Sequence, residues 1–211
     1  MAVESGVGEI MFCNSMLMIK KKLTFVCFII MTAMLMTACK LIPEDVIGDI
    51  STNTLIMNED GSVREICCDD FSGVSFDYSG LKNKIKSDVA DYCQSYGEDS
   101  IKLLKYKEDD GIIKVALDYK SLDDYNKFNG TSYRLDDASE ISKQMKLKDN
   151  QGNDITAGDI ILDGYKVICI DGKLSLIING EIMYYNSHVT SIDGNDKALL
   201  DGEGYGVIIY K

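Results

Sequence analysis

Residues 165–185 read YKVICIDGKLSLIINGEIMYY, three apolar segments separated by Asp171-Gly172 and Asn179-Gly180. Each segment is five or six residues long and rich in Val, Ile, Leu or Tyr, a composition that favours β-strands. Asp-Gly and Asn-Gly are typical of two-residue hairpin turns, because both of their residues can adopt positive φ. The stretch therefore predicts consecutive strands that pair with one another.

Turn signals of the same kind continue to the end of the sequence. Asp193-Gly194 and Asp201-Gly202 separate further short apolar segments. The nearly continuous apolar run at 174–178 indicates a strand that is covered on both faces. We therefore predict that residues 160–211 form a β-rich unit, either a small meander or a part-closed barrel.

A hairpin followed by a helix is predicted twice between residues 52 and 130. Turn residues at 58–61 and 108–111 each lie between two segments rich in strand-forming residues. Apolar residues recur every three or four positions from about 80 to 96, after Ser79 as a possible cap, which indicates a helix that Gly97 ends. Ser121 begins a capping box for a shorter helix that ends at Asn129, before Gly130.

The predicted fold class is accordingly α+β. An antiparallel hairpin-helix-hairpin-helix unit occupies residues 52–130, a polar connector follows at 131–159, and the β-rich unit occupies 160–211. Within the connector, Asp137 and its neighbours predict a short helix that reaches about Lys146.

A basic and apolar segment precedes these units. Lys20, Lys21 and Lys22 are followed by sixteen residues, 23–38, without a charged side chain. A helix of that length rises about 24 Å, less than the roughly 30 Å hydrocarbon core of a bilayer. Lysines followed by a short apolar run are typical of an export signal. An uncleaved N-terminal anchor and a buried core helix are the alternatives.

Residues 35–39 read Leu-Met-Thr-Ala-Cys and close the apolar run. This pentapeptide resembles the lipobox of bacterial lipoproteins, with Met36 in place of the leucine most common at that position. The resemblance implies cleavage before Cys39, a diacylglyceryl group on its thiol, and a domain held on the extracytoplasmic face of the cell membrane. Two acyl chains are enough for stable anchoring. In general character the chain is similar to uncharacterised extracytoplasmic lipoproteins of Gram-positive type.

The first fifteen residues differ from the start of an export signal. They contain Glu4 and Glu9 and no lysine or arginine, whereas the region before the apolar run is normally short and basic. We expect translation to begin at Met16 or Met18. Residues 1–38 are therefore interpreted as leader and lipoprotein signal peptide, with 1–15 as a start-site artefact, and residues 39–51 as a lipidated tether.

Acidic residues dominate the part of the chain that export would retain. Without residues 1–38, 19 basic and 32 acidic residues remain, a net charge of about −13. Such a charge repels phosphate backbones, so we predict no nucleic-acid partner. The predicted partner is the membrane, through the lipid anchor, and a protein partner at the cell envelope is left open.

Four cysteines follow Cys39: Cys67, Cys68, Cys93 and Cys169. Export permits disulfides, but this spacing is not that of a disulfide scaffold. Neighbouring residues on a strand point to opposite faces, so at most one of Cys67 and Cys68 can face the helix that carries Cys93. Free thiols and a bridge to Cys93 both stay open. Without a Cys-x-x-Cys pattern and with a single histidine, the sequence predicts no zinc site and no cofactor.

The sequence contains one histidine, His188, and Ser187 and Asp193 lie close to it in sequence. These are the residue types of a hydrolytic triad, and Cys169 is a second conceivable nucleophile. No nucleophile elbow or local cysteine-peptidase pattern accompanies them. The acidic loop at 149–154 lacks the ligand spacing of an EF-hand.

These features predict a membrane-anchored extracytoplasmic lipoprotein that serves as a non-catalytic binding or interaction module at the cell envelope. The alternatives are an envelope hydrolase that uses His188 and an acidic cation-binding module. Cys39 is the one site residue that the sequence assigns, as the position of lipidation. No catalytic, cofactor-binding or metal-binding residue is assigned.

Overall fold

A computed structural model describes residues 50–211, in which the chain forms thirteen strands and two α-helices. The strands are β1 (Thr54–Met57), β2 (Val63–Asp70), β3 (Ile101–Asp109), β4 (Ile112–Tyr119), β5 (Arg134–Asp137), β6 (Lys146–Asp149), β7 (Asp154–Thr156), β8 (Lys166–Asp171), β9 (Ser175–Ile178), β10 (Ile182–Tyr185), β11 (Val189–Asp193), β12 (Lys197–Leu200) and β13 (Tyr205–Tyr210). The helices are α1 (Tyr78–Tyr96) and α2 (Leu122–Asn129), with short 3-10 helices at Ala138–Glu140 and Ala157–Asp159.

The strands are divided between two sheets. One has seven strands in the order β11-β12-β9-β1-β2-β4-β3, and the other has six in the order β5-β8-β13-β10-β6-β7. Neighbouring strands are antiparallel except β1 and β9, which run in parallel with Leu55 opposite Leu176. This parallel pair joins the N-terminal hairpin to a strand more than a hundred residues later in the chain.

A shared core fills the space between the sheets because alternate side chains of the inner strands point into it. Leu55, Leu176 and Ile178 from the seven-stranded sheet belong to the same buried cluster as Ile170 and Ile208 from the six-stranded sheet. The helices cover the end of the seven-stranded sheet that is formed by β4 and β3. There α1 packs on β3 and α2 packs on β4. A second cluster lies on the opposite face of the six-stranded sheet, under residues of the 138–165 segment.

Local capping chemistry fixes both helices. Ser121 accepts a hydrogen bond from the backbone N–H of Asp124, and Gly130 ends α2 in the left-handed conformation at φ +67°, as predicted. The longer helix begins earlier than predicted, because Asp77 rather than Ser79 accepts from the N–H of Gly80 at 2.8 Å. Gly97 follows its last residue, as the sequence indicated.

The predicted α+β class, with its hairpin-helix-hairpin-helix unit, is wrong. Strands hold 43% of the described residues and helices 20%, so the domain is mostly β. Because β1 bonds to β9 on one side and to β2 on the other, the first hairpin is an interior part of a larger sheet. Residues 52–130 and 160–211 both contribute strands to the seven-stranded sheet.

The Asp-Gly and Asn-Gly turns of residues 165–185 do not join paired strands, and the predicted meander is therefore also wrong. Strand β8 and strand β10 lie in the six-stranded sheet, whereas β9 between them lies in the other. Neither Asn179 nor Asp171 has the positive φ that a type I′ turn requires. Each dipeptide instead carries the chain from one sheet to the other.

The short helix predicted after Asp137 is reduced to the 3-10 turn Ala138–Glu140. Strand β6 then begins at Lys146 and pairs with β10 and β7, so these residues form a sheet and not a helix. The backbone N–H of Ala138 donates to the carbonyl of Tyr165 at 2.9 Å, which holds the turn against the loop before β8.

The predicted signal peptide, Cys39 and the tether as far as residue 49 lie outside the described residues. Within residues 50–211, no helix combines the length and the apolar character that crossing a bilayer requires.

Candidate functional site

A cavity of about 200 Å³ opens where β1 and β2 meet the connection between β8 and β9. Glu65 and Cys67 of β2 line it, together with Leu55 of β1. Tyr125 of α2 and Tyr133, which follows that helix, form a wall. The rest of the lining consists of Asn53, Thr54, Ile66, Gly172, Lys173 and Leu174. The cavity therefore lies at one of the places where the chain crosses between the two sheets.

Two local features place the tyrosines. The capping of α2 by Ser121 sets the first turn that carries Tyr125, which is 5% exposed. Asn126 holds the backbone of Tyr133 on both sides, because its Oδ1 accepts from the Tyr133 N–H at 3.0 Å and its Nδ2 donates to the Tyr133 carbonyl at 2.8 Å. The two rings are stacked, with centroids 5.5 Å apart.

Glu65 brings a carboxylate to the inner face of the seven-stranded sheet. The hydroxyl of Tyr119 donates to Glu65 Oε2 at 2.6 Å, and Asn129 Nδ2 donates to the same hydroxyl oxygen at 3.1 Å. None of the ion pairs formed within residues 50–211 includes Glu65. The pocket thus contains a carboxylate that is oriented by a neutral hydroxyl group and not by a cation.

The hydroxyl groups around Glu65 stay protonated. Burial raises the pKa of Tyr119 and of Tyr125 far above the ordinary value, and the nearby Glu65 charge raises both further. Burial also raises the pKa of Tyr133. At neutral pH these phenols are therefore uncharged groups that can donate or accept hydrogen bonds.

The thiol of Cys67 is not an activated nucleophile. Burial raises its pKa well above the ordinary value of 9.0, and the charge of Glu65 raises it further. Nucleophilic cysteines need the opposite environment, in which a nearby positive charge stabilises the thiolate. Cys67 therefore contributes a neutral, weakly hydrogen-bonding wall to the pocket.

We expect the stability of the chain to fall above about pH 9, and Cys67 to account for part of the fall. In the unfolded chain the thiol loses its proton near its ordinary pKa, whereas the folded chain retains it. The unfolded state then binds fewer protons, so the free energy of unfolding decreases as pH rises. The decrease approaches about 1.4 kcal/mol per pH unit for each such group.

Urea unfolding at a series of pH values measures this slope, with Cys67→Ser as the test variant. Its slope between about pH 9 and 11 should be shallower than that of the parent. Tyr205→Phe, which removes a hydroxyl from a residue that is 54% exposed, should leave the slope unchanged. Equal slopes for the parent and Cys67→Ser would contradict the buried, neutral thiol.

The other cysteines are also unbridged, so the structure contains no link between the Cys67-Cys68 pair and Cys93 within the described residues. As expected for neighbours on a strand, Cys67 faces the pocket while Cys68 donates its thiol proton to the carbonyl of Ile50 on the other face, at 3.4 Å. Cys93 donates to the carbonyl of Ile101 at 3.2 Å.

The residues proposed for a hydrolytic triad do not assemble. His188 Nδ1 lies 3.5 Å from Asp201 Oδ1, whereas Asp193 lies on β11, opposite Lys197 in the β11–β12 hairpin. No hydrogen bond among residues 50–211 joins the hydroxyl of the exposed Ser187 to His188. The imidazole packs instead on Gly204, where an added Cβ would approach the ring to 2.8 Å.

Cys169 is also remote from nucleophilic chemistry. It lies on β8 and packs against the cluster on the far face of the six-stranded sheet. Burial raises its pKa, the charge of Arg134 opposes this, and that of Asp136 adds to it. Burial outweighs the favourable charge of Arg134, so the pKa of the thiol is raised and the neutral form is favoured.

The acidic loop at 149–154 uses its first carboxylate to build its own turn. Asp149 accepts from the N–H groups of Gln151 and Asn153 and from the Asn153 side chain, at 2.8 to 2.9 Å. These bonds lower the pKa of Asp149. Within the part of the chain that the structure describes, no group of three or more His, Cys, Asp or Glu side chains is placed to hold a metal ion.

The alternating side chains of β2 place a carboxylate on the face that forms the pocket, and the sequence analysis did not identify it. Val63, Glu65 and Cys67 share one face, which turns out to be the inner one, so a carboxylate faces the core. Arg64, Ile66 and Cys68 on the other face are equally mixed in polarity. The pattern alone could not identify the inner face, and Tyr133 had no sequence signal of its own.

Comparison with models of protein families, with curated proteins and with solved structures finds no match for this chain.

Proposed function

We propose that this chain is a lipoprotein of the cell envelope, anchored through Cys39 on the extracytoplasmic face of the membrane, whose β-rich domain is a non-catalytic binding module. The lysine triplet, the short apolar run and the lipobox-like pentapeptide support the membrane address. The cavity beside Glu65 is the binding site in this proposal. A protein partner at the envelope remains compatible with it.

The observation that carries the binding function is the Glu65 carboxylate, which lines a preformed cavity and makes no ion pair with the described residues. Binding pockets combine apolar and aromatic walls with a few oriented polar groups, and this cavity has both. The neighbouring thiol is held in its neutral form, and the described residues offer the cavity no histidine. Its chemistry therefore favours recognition over bond breaking.

Thermal unfolding of the purified full-length chain in detergent micelles, in the presence of a panel of small polar compounds, tests the binding function. A ligand at a hundred times its dissociation constant stabilises the folded state by about 2.7 kcal/mol. We expect at least one class of compound to raise the melting temperature. If no class does so at concentrations up to the solubility limit, the cavity is not a binding site.

His188→Ala separates this proposal from the hydrolase alternative. We expect the variant to keep the same melting-temperature shifts as the parent, because His188 contacts Asp201 and Gly204 and does not line the cavity. Neither protein should hydrolyse ester or peptide compounds in the panel. Hydrolysis by the parent that disappears in His188→Ala would favour the envelope hydrolase instead.

A further inference from the structure

The cavity contains a carboxylate that could receive a positive charge, with Lys173 elsewhere in the lining. Its carboxylate, Glu65, is oriented by the Tyr119 hydroxyl through Oε2 and makes no ion pair with the described residues. Tyr125 and Tyr133, whose rings stack on each other, form part of its wall. Aromatic faces attract cations through their quadrupole, and a carboxylate attracts them directly.

We propose that this cavity binds a small organic ammonium ion, with Glu65 as its charge partner and Tyr125 and Tyr133 as its aromatic wall. The inference rests on the proposed function, in which the cavity is the binding site, and it adds the chemical class of the ligand. The ammonium group donates to the Glu65 carboxylate, and its alkyl portion packs against the rings and Leu55.

A metal ion does not suit the same groups. Calcium takes six to eight oxygen ligands and is normally held by several carboxylates. Here one carboxylate is accompanied by phenols and a neutral thiol. An ammonium ion needs fewer strong ligands, because its two or three N–H groups can be shared among a carboxylate, hydroxyl oxygens and ring faces. The donor set therefore matches an organic cation.

Size and charge limit the ligand further. The cavity of about 200 Å³ is slightly larger than the 150 Å³ that accommodates benzene and smaller than sites for drug-sized molecules. Lys173 lines the same cavity, so a second positive charge on the ligand would be repelled. The best fit is a compact monoamine whose far end is neutral or anionic, as in a small amino acid.

The net charge of the protein acts in the same direction. With a formal charge of −12, the chain attracts cations to its surface and repels simple anions. This long-range effect is sensitive to salt, whereas the contact with Glu65 inside the cavity is screened less. A specific site therefore retains a preference for the cation at physiological ionic strength.

Titration of the isotope-labelled full-length chain in detergent micelles compares three ligands of one shape: n-butylammonium chloride, 1-butanol and sodium butyrate. We expect butylammonium to shift the resonances of Tyr125 and Tyr133 in a saturable way at constant ionic strength. The dissociation constants for butanol and butyrate should be at least about tenfold higher, because they lack the charge-assisted bond.

Glu65→Gln is the matched variant. Its amide oxygen can still accept the hydrogen bond from Tyr119, so the local structure is retained while the charge is lost. Butylammonium should bind this variant at least about tenfold more weakly. Glu59→Gln, the same substitution at an exposed position of the β1–β2 turn, should bind like the parent.

Each outcome decides the question. Equal binding of the three ligands, or preference for butyrate, overturns the assignment of an ammonium ligand while leaving the cavity as a binding site. Tight binding of butylammonium to Glu65→Gln also overturns it. If no ligand shifts the cavity resonances, the ammonium assignment fails, and the compound panel decides independently whether the cavity binds anything. Should Glu65→Gln not fold, the comparison of butylammonium with butanol on the parent is sufficient.

Discussion

Cells that express Cys39→Ser should incorporate no radioactive palmitate into this chain, whereas the parent should be strongly labelled. Lipoprotein modification forms a thioether to the cysteine sulfur, and the serine hydroxyl does not replace that nucleophile. Two acyl chains would account for stable membrane attachment, at about 0.8 kcal/mol for each buried CH₂ group. The predicted loss of label is therefore complete rather than partial.

Mass spectrometry of the same samples reports on cleavage. The lipidated parent should begin at Cys39, and the Cys39→Ser chain should retain the apolar residues 23–38, because the peptidase acts after the lipid is attached. Cys27→Ser provides the matched control, since Cys27 lies within the apolar run and should not affect labelling. Equal incorporation in all three chains, or an unlabelled parent that keeps its leader, would favour the uncleaved anchor instead.

The elements that sequence reasoning placed correctly are those set by neighbouring residues. Asp110 and Gly111 both have positive φ, at +54° and +81°, and form a two-residue turn between β3 and β4, within the turn that the sequence predicted at 108–111. The short helix α2 depends on Ser121 and Gly130 at its ends and was predicted for the same reason. Such features need no knowledge of the rest of the fold.

Long-range pairing is what the sequence could not supply. Turn residues at 171–172 and 179–180 matched the hairpin pattern, yet both link strands in different sheets. The apolar run of β9 did indicate burial on both faces, but it did not identify β1 as its parallel neighbour. Nothing in the periodicity of either strand specifies which strand will pair with it.

The cavity beside Glu65 depends on the same long-range contacts. Glu65 of β2, Tyr133 after α2 and Lys173 after β8 come together because β9 lies against β1. Each residue taken alone resembles an ordinary surface or strand residue. The proposed lipid-attachment site differs in this respect, because the pattern that predicts it is contiguous in sequence and does not depend on the fold.

Leu176→Ala should lower the stability of the whole domain by about 2 to 5 kcal/mol in a single transition. Leu176 is fully buried in β9, opposite Leu55 of β1 and Ala198 of β12, so its removal leaves a cavity in the core that both sheets share. If residues 52–130 folded independently of residues 160–211, the loss would be confined to the C-terminal part.

Urea unfolding followed by circular dichroism at 222 nm distinguishes these cases, because that signal is dominated by α1 and α2, which precede Leu176 by dozens of residues. We expect the helix signal to be lost at a lower urea concentration in Leu176→Ala. The β12 amides should lose their protection against hydrogen exchange together with it. Leu199→Ala, at a neighbouring position that is 41% exposed, should change stability by less than about 1 kcal/mol. A helix transition that stays at the urea midpoint of the parent while β12 exchanges faster would show two independent units. Coincident shifts in both signals would instead mean that the parallel contact between β1 and β9 makes the chain fold as one cooperative unit.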